Sequence, residues 1–115
     1  MALHIGSCHC QSVRYEVDID LSAPVIECNC SHCEPKGFLL SFVPASLFTA
    51  QGEENLTEYH FNTEKIQHLF CKTCGVQAFG RGEGKDGPTV AVNVRTINGI
   101  ELGNLTRLPF DGRSA

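Results

Sequence analysis

Seven cysteines in 115 residues fall into three groups, Cys8-x-Cys10, Cys28-x-Cys30-x2-Cys33 and Cys71-x2-Cys74. No hydrophobic run constrains the fold as tightly. An odd number leaves one thiol over in a pure disulfide framework. The opening MALHIGSCHC has no charged n-region and no apolar h-region, so it does not read as a secretory leader. The expected location is the cytoplasm, where thiols stay reduced. A reduced, cysteine-rich chain points to metal.

Each spacing has a geometric reason. Residues i and i+2 of a strand share a face about 6.5–7 Å apart, and a slight bend brings both sulfurs to one zinc at about 2.3 Å. In Cys71-Lys72-Thr73-Cys74-Gly75 the chain turns tightly around a metal, and Gly75 can take the positive φ that such a turn often needs. One such knuckle supplies two ligands. The pair Cys8 and Cys10 is the natural source of the other two. The partition is therefore 2 + 2 and 3. Cys8, Cys10, Cys71 and Cys74 form a closed structural zinc site, and Cys28, Cys30 and Cys33 form a second site with three thiols. The rival for the first group is a thioredoxin-like redox C-x-x-C, which expects a βαβ context that this sequence lacks.

The second site has three readings. A histidine closes it, with His32 inside the run and His4, His9, His60 and His68 elsewhere. Or water or a substrate thiol takes the fourth position, as in catalytic zinc sites. Or the three thiols make a labile or empty site. Three thiolates on Zn²⁺ carry a net charge of about −1, which weakens hydroxide chemistry and favours holding a soft, still nucleophilic thiolate.

The rest of the chain reads as one all-β domain over residues 1–115. Its length suggests a single domain with a modest core. Strand patterns run over Ser12–Val17, Phe38–Val43, Thr57–Phe61, Ile66–Phe70 and Thr89–Val94, separated by turn residues. Pro44–Phe48 is the one stretch that suggests a helical turn. The last residues, Leu108–Ala115, read as loosely held.

The net charge is −4 and the nine basic residues form no run. That argues against a nucleic-acid partner and against docking on an anionic membrane, and no apolar stretch approaches the ~18 residues of a membrane span. The segment Gly82-Glu83-Gly84-Lys85-Asp86-Gly87 matches G-x-G-x-x-G, but Pro88 and a β pattern follow, so a hairpin loop is expected rather than a dinucleotide site. The sequons at Asn29, Asn55 and Asn104 are read as chance matches. No Ser/His/Asp set is placed for hydrolase chemistry.

With these groups in view, the chain resembles the glutathione-dependent formaldehyde-activating enzyme family, which also includes centromere protein V. The likeness rests on Gly6-Ser7-Cys8-His9-Cys10, on Cys28-Asn29-Cys30-Ser31-His32-Cys33 and on His68-Leu69-Phe70-Cys71-Lys72-Thr73-Cys74-Gly75, with Val90–Arg95 and Phe110-Asp111-Gly112 also similar. It implies an Mss4-like fold of several curled antiparallel sheets around a structural zinc held by four cysteines. It assigns Cys8, Cys10, Cys71 and Cys74 to that zinc, and Cys28, Cys30 and Cys33 to a second, reactive one. It implies a carbon–sulfur lyase, with a glutathione-like thiol and an aldehyde as substrates. Directly after Cys33 stand Glu34 and Pro35, with Lys36 third, where family members often carry basic residues.

The expectation is thus a zinc-dependent carbon–sulfur lyase acting on small molecules, with Lys36 and Arg95 as candidates for an anionic substrate group. The competing class is a non-catalytic zinc module that serves folding or binds another protein. Nothing in the sequence fixes an oligomeric state.

Overall fold

The structure, a computed structural model, describes residues 2–29, 32–59, 66–84 and 87–111. It is built almost wholly of strands: β1 (Ala2–Ser7), β2 (Arg14–Ile19), β3 (Val25–Cys28), β4 (Leu40–Pro44), β5 (Phe48–Gln51), β6 (Leu56–Tyr59), β7 (Ile66–Cys71), β8 (Phe79–Gly84), β9 (Gly87–Asn93) and β10 (Arg107–Phe110). One short α-helix, α1 (Cys33–Lys36), and four 3-10 turns complete the described elements. None of the described helices is long and apolar enough to cross a membrane.

Two sheets form. The smaller runs β1-β2-β5, the larger β10-β3-β4-β9-β8-β7-β6. Pairing is antiparallel except between β10 and β3, which run parallel. The expectation of antiparallel sheets is corrected at that one edge.

The core lies where the sheets meet. On β2 the alternation expected from Val13, Tyr15 and Val17 holds: all three are buried, with Val13 in the turn before the strand and Ile19 extending the pattern. Tyr15 stacks on Phe48 of β5 at 5.3 Å, and Phe48 packs on Phe79 of β8 at 4.7 Å, so aromatic rings join the two sheets. Val90 and Val92 of β9 and Val94 beyond it face the same core. Burying a side chain of this size stabilises by about 1.5–3 kcal/mol. Gly6 lies opposite Tyr15 in the β1–β2 register, and a Cβ there would run into the Tyr15 ring and hydroxyl.

The Pro44–Phe48 turn appears as a 3-10 turn over Ala45–Leu47, with β5 starting at Phe48. The G-x-G-x-x-G match closes the β8–β9 hairpin, where Gly84 pairs with Gly87. Gly87 has φ +115, a conformation open to glycine. Phe61, at the end of the expected Thr57–Phe61 strand, lies outside the described residues.

The chain end differs from expectation. Arg107–Phe110 pairs along β3 instead of hanging loose, with the Val25 amide donating to the Thr106 carbonyl at 2.9 Å and the Asn29 amide to the Phe110 carbonyl at 3.1 Å. All four β10 side chains are exposed, so the strand is held by its backbone and carries no hydrophobic signature. Residues 112–115 lie outside the described part.

Candidate metal centre and reactive cleft

Cys8 follows the end of β1 and Cys71 ends β7. Past each, the backbone folds back on itself. The Cys8 amide donates to the Val13 carbonyl at 3.0 Å and the Gln11 amide to the Cys8 carbonyl at 3.2 Å. Gln11 takes φ +66, which glycine usually supplies. At the other turn, the Cys71 amide donates to the Val76 carbonyl at 3.0 Å and the Gly75 amide to the Cys71 carbonyl at 2.8 Å. Gly75 has φ +81, as a tight C-x-x-C turn requires.

These turns bring Cys8, Cys10, Cys71 and Cys74 together, with all four sulfurs within 4.8 Å of one another. Cys8 and Cys10 sulfurs stand 3.7 Å apart, and Cys10 and Cys71 sulfurs 3.6 Å. Four sulfurs at about 2.3 Å from a tetrahedral metal stand about 3.8 Å from each other. The set fits a four-thiolate metal site. Ser12 adds a hydroxyl 3.0 Å from the Cys10 sulfur and 3.4 Å from that of Cys71. The Ser12 hydroxyl and the Cys74 backbone amide pull the Cys71 thiol down to about 5, whereas burial pushes the Cys8 thiol up. Metal held here ties β1 to β7, one strand from each sheet.

The second cysteine group is built differently. Cys28 ends β3, and Cys33 opens α1. Both line a cleft of ≈390 Å³ whose walls also include Glu27, Glu34, Pro109 and Asp111. Cys30 lies outside the described residues. No member of the four-cysteine cluster is among the described residues that line this cleft.

His32, the histidine inside the run, is buried. Its ring centroid lies 4.2 Å from that of His68, 5.8 Å from Tyr59 and 5.6 Å from Phe38. Burial, reinforced by the charges of His68 and Lys36, lowers its pKa to about 4, so it is neutral at physiological pH. His9 is exposed, His4 borders a hollow of ≈250 Å³ next to Ile97 and Ile100, and His60 lies outside the described residues.

Lys36 and Arg95, the basic candidates, both make contacts within the protein. Lys36 Nζ donates to Gln77 Oε1 at 3.1 Å. Arg95 Nε donates to the Gly37 carbonyl at 2.7 Å. Gly37 caps α1 in the left-handed conformation, with φ +65. Asn93 completes the set: its Nδ2 donates to the Gln77 carbonyl at 3.0 Å, and its Oδ1 accepts from the Arg95 amide at 3.3 Å. Helix α1, with Cys33 at its start, is thus pinned to the end of β9. The sequence reading singled out none of Gln77, Ser12 and Glu27, and it named Asn93 and Asp111 only within the segments Val90–Arg95 and Phe110-Asp111-Gly112. Ser12, two residues past Cys10, and Glu27, directly before Cys28, had a local signal in their nearness to a cysteine.

A profile of the glutathione-dependent formaldehyde-activating enzyme family matches residues 3–105. Curated relatives carry that same name provisionally. A protein from Phaeosphaeria nodorum is 37% identical over 81 residues, covering 64% of this chain and 42% of that protein. One from Emericella nidulans is 35% identical over 83 residues, covering 66% and 41%. One from Penicillium rubens is 37% identical over 86 residues, covering 70% and 44%. The chain thus spans less than half the length of these relatives. A crystal structure of a Rhodobacter sphaeroides protein superposes with a TM-score of 0.76 at 31% identity, covering 90% of this chain and 99% of that one. The profile match spans all but the chain ends and includes every cysteine of the three groups, and on this ground the chain belongs to the glutathione-dependent formaldehyde-activating enzyme family.

Proposed function

We propose that this protein is a zinc-dependent carbon–sulfur lyase that adds a thiol to an aldehyde carbon, or removes it, at the Cys28–Cys33 cleft. The observation that carries the reading is the separation of roles. Four cysteines make a compact cluster suited to a structural metal, while Cys28 and Cys33 line a cleft of ≈390 Å³ of their own. Cys28, Cys30 and Cys33 would hold the second zinc. Bound there, zinc supplies a soft Lewis acid that keeps a thiol deprotonated at neutral pH.

The chain's own residues set the rest. The end of β3 and the start of α1 hold Cys28 and Cys33 at the cleft. Phe38 and Phe110 give the cleft apolar surface. Membership of a family named for glutathione and formaldehyde supports thiol and aldehyde as the substrate classes.

The test is the rate at which a thiol and formaldehyde exchange with their S-hydroxymethyl adduct, followed by exchange NMR. The wild type is expected to accelerate exchange. Cys33→Ser is expected to lose that acceleration at least about a hundredfold, the usual scale for loss of a positioned catalytic group, while staying folded by circular dichroism. A folded Cys33→Ser protein with wild-type exchange would refute the reading and favour a non-catalytic zinc module.

A further inference from the structure

Asn29 and Asp111 are 82 positions apart in the chain and meet at the cleft, where Asn29 Nδ2 donates to Asp111 Oδ1 at 3.0 Å. Asn29 separates Cys28 from Cys30 in the sequence, and Asp111 directly follows β10. The Asn29 amide also donates to the Phe110 carbonyl at 3.1 Å. The β3–β10 ladder thus runs past Cys28, the last residue of β3, into the turn that follows it. In that ladder Phe110 stands opposite Cys28, and both line the cleft. The position of Cys28 therefore depends on how firmly the end of β10 is held. Apolar burial does not hold it, since all four β10 side chains are exposed. At the start of β10, Arg107 pairs with Glu27 at 3.2 Å with both side chains exposed, and surface pairs of this kind contribute little. A hydrogen bond to a carboxylate is about twice as strong as one between neutral groups, and the Asn29–Asp111 contact places one at the cleft end of the strand.

We propose that Asn29 and Asp111 are positioning residues that latch the end of β10 to the turn after Cys28 and so set the Cys28 sulfur for metal and substrate. This rests on the reading above, in which Cys28, Cys30 and Cys33 hold a second zinc. Asn29 works through two groups. Its amide fixes the backbone of the turn against Phe110, and its carboxamide ties the same turn to Asp111. Neither residue is a metal ligand in this assignment. A turn already held in one conformation has less entropy to lose when metal binds, so the latch raises the affinity of the second site. It also gives the Phe110-Asp111-Gly112 segment a role at the cleft, although it lies far from every cysteine in the sequence.

Two measurements on the intact, freshly reduced protein test this without any turnover. The first is zinc competition against a chromogenic chelator, with the tighter zinc of the four-cysteine cluster as internal reference. Asp111→Ala and Asn29→Ala are each expected to weaken the looser zinc about tenfold, the lower end for loss of a residue that orients metal ligands, and to leave the tighter one unchanged. The double variant is expected to lose about tenfold rather than a hundredfold, because both residues act through one contact. Asp111→Asn keeps an acceptor for Asn29 and is expected within about threefold of wild type. The second is hydrogen exchange. In Asp111→Ala the Asn29 amide should speed up about fivefold. The Val25 amide, bonded to the Thr106 carbonyl at 2.9 Å at the other end of the same strand pair, should not change. Wild-type zinc affinity in Asp111→Ala, additive losses in the double variant, or a loss in Asp111→Asn equal to that in Asp111→Ala would overturn the proposal, as would a wild-type protein that binds a single zinc. The expected pattern in a protein that accelerates no thiol–aldehyde exchange would support the latch and refute the lyase reading instead.

Discussion

Tyr15 shows what one side chain does in this fold. It is almost fully buried, and its hydroxyl lies 2.6 Å from Thr96 Oγ1. Thr96 gives its own proton to the Asn93 carbonyl at 2.7 Å, so Tyr15 must be the donor. A phenolate there would lose both water and its role as donor. Burial pushes the Tyr15 pKa up to about 12, against about 10 in an unfolded chain. The folded state therefore holds this proton more tightly. The stability it confers is complete below about pH 10 and is lost as pH rises toward about 12, up to about 2–3 kcal/mol. Tyr15→Phe should be less stable than wild type by about 1 kcal/mol at pH 7, from the lost hydrogen bond. That gap should shrink or invert above about pH 10.5, because Phe has no proton to lose. Denaturant unfolding of both proteins from pH 7 to 11.5 checks this, and a gap constant with pH contradicts it.

The elements show why the cysteine turns were readable and the helix clamp was not. The turns at Cys8–Cys10 and Cys71–Cys74 are local, and their spacing encodes their shape. The clamp joins Arg95 to Gly37 across 58 positions and Lys36 to Gln77 across 41, and no local pattern announces such pairs. Strands divided in the same way. β2 and β9 bury alternate residues and were legible as such. In β1 the apolar Leu3 and Ile5 face outward, 65% and 52% exposed, while Gly6 faces the core, so the hydrophobic pattern is inverted. β8 reads FGRGEG and depends on its neighbours for strand character. The clamp makes its own prediction. In Arg95→Ala the helix end should loosen. Hydrogen exchange at the Gly37 and Phe38 amides, which close α1 onto Glu34 and Cys33, should speed up about fivefold, as loss of one hydrogen bond predicts. Val92, in the core of β9, should not change. Equal acceleration at both places would mean that Arg95 serves global stability and does not hold α1.

At the scale of the whole molecule, the two sheets meet over a modest core and are tied a second time by the four-cysteine cluster. The ends of β1 and β7 converge there, 61 positions apart from Cys10 to Cys71. A structural zinc contributes about 10–16 kcal/mol in small domains, against a net stability of about 5–15 kcal/mol. Metal at this cluster would therefore decide whether the chain folds. Cys71→Ser should leave little cooperative unfolding transition at 25 °C, while Cys33→Ser should keep most of the wild-type midpoint; thermal melts of both read this directly. The cleft sits elsewhere, and its metal would be reachable from solvent. The most direct measurement is zinc per chain on freshly reduced protein, before and after a mild chelator, with circular dichroism alongside. The account predicts two zincs falling to one with the fold intact, and unfolding only when the last is stripped. A single zinc throughout, or two that resist the chelator and leave only as the protein unfolds, would contradict the division into a structural cluster and a reactive cleft.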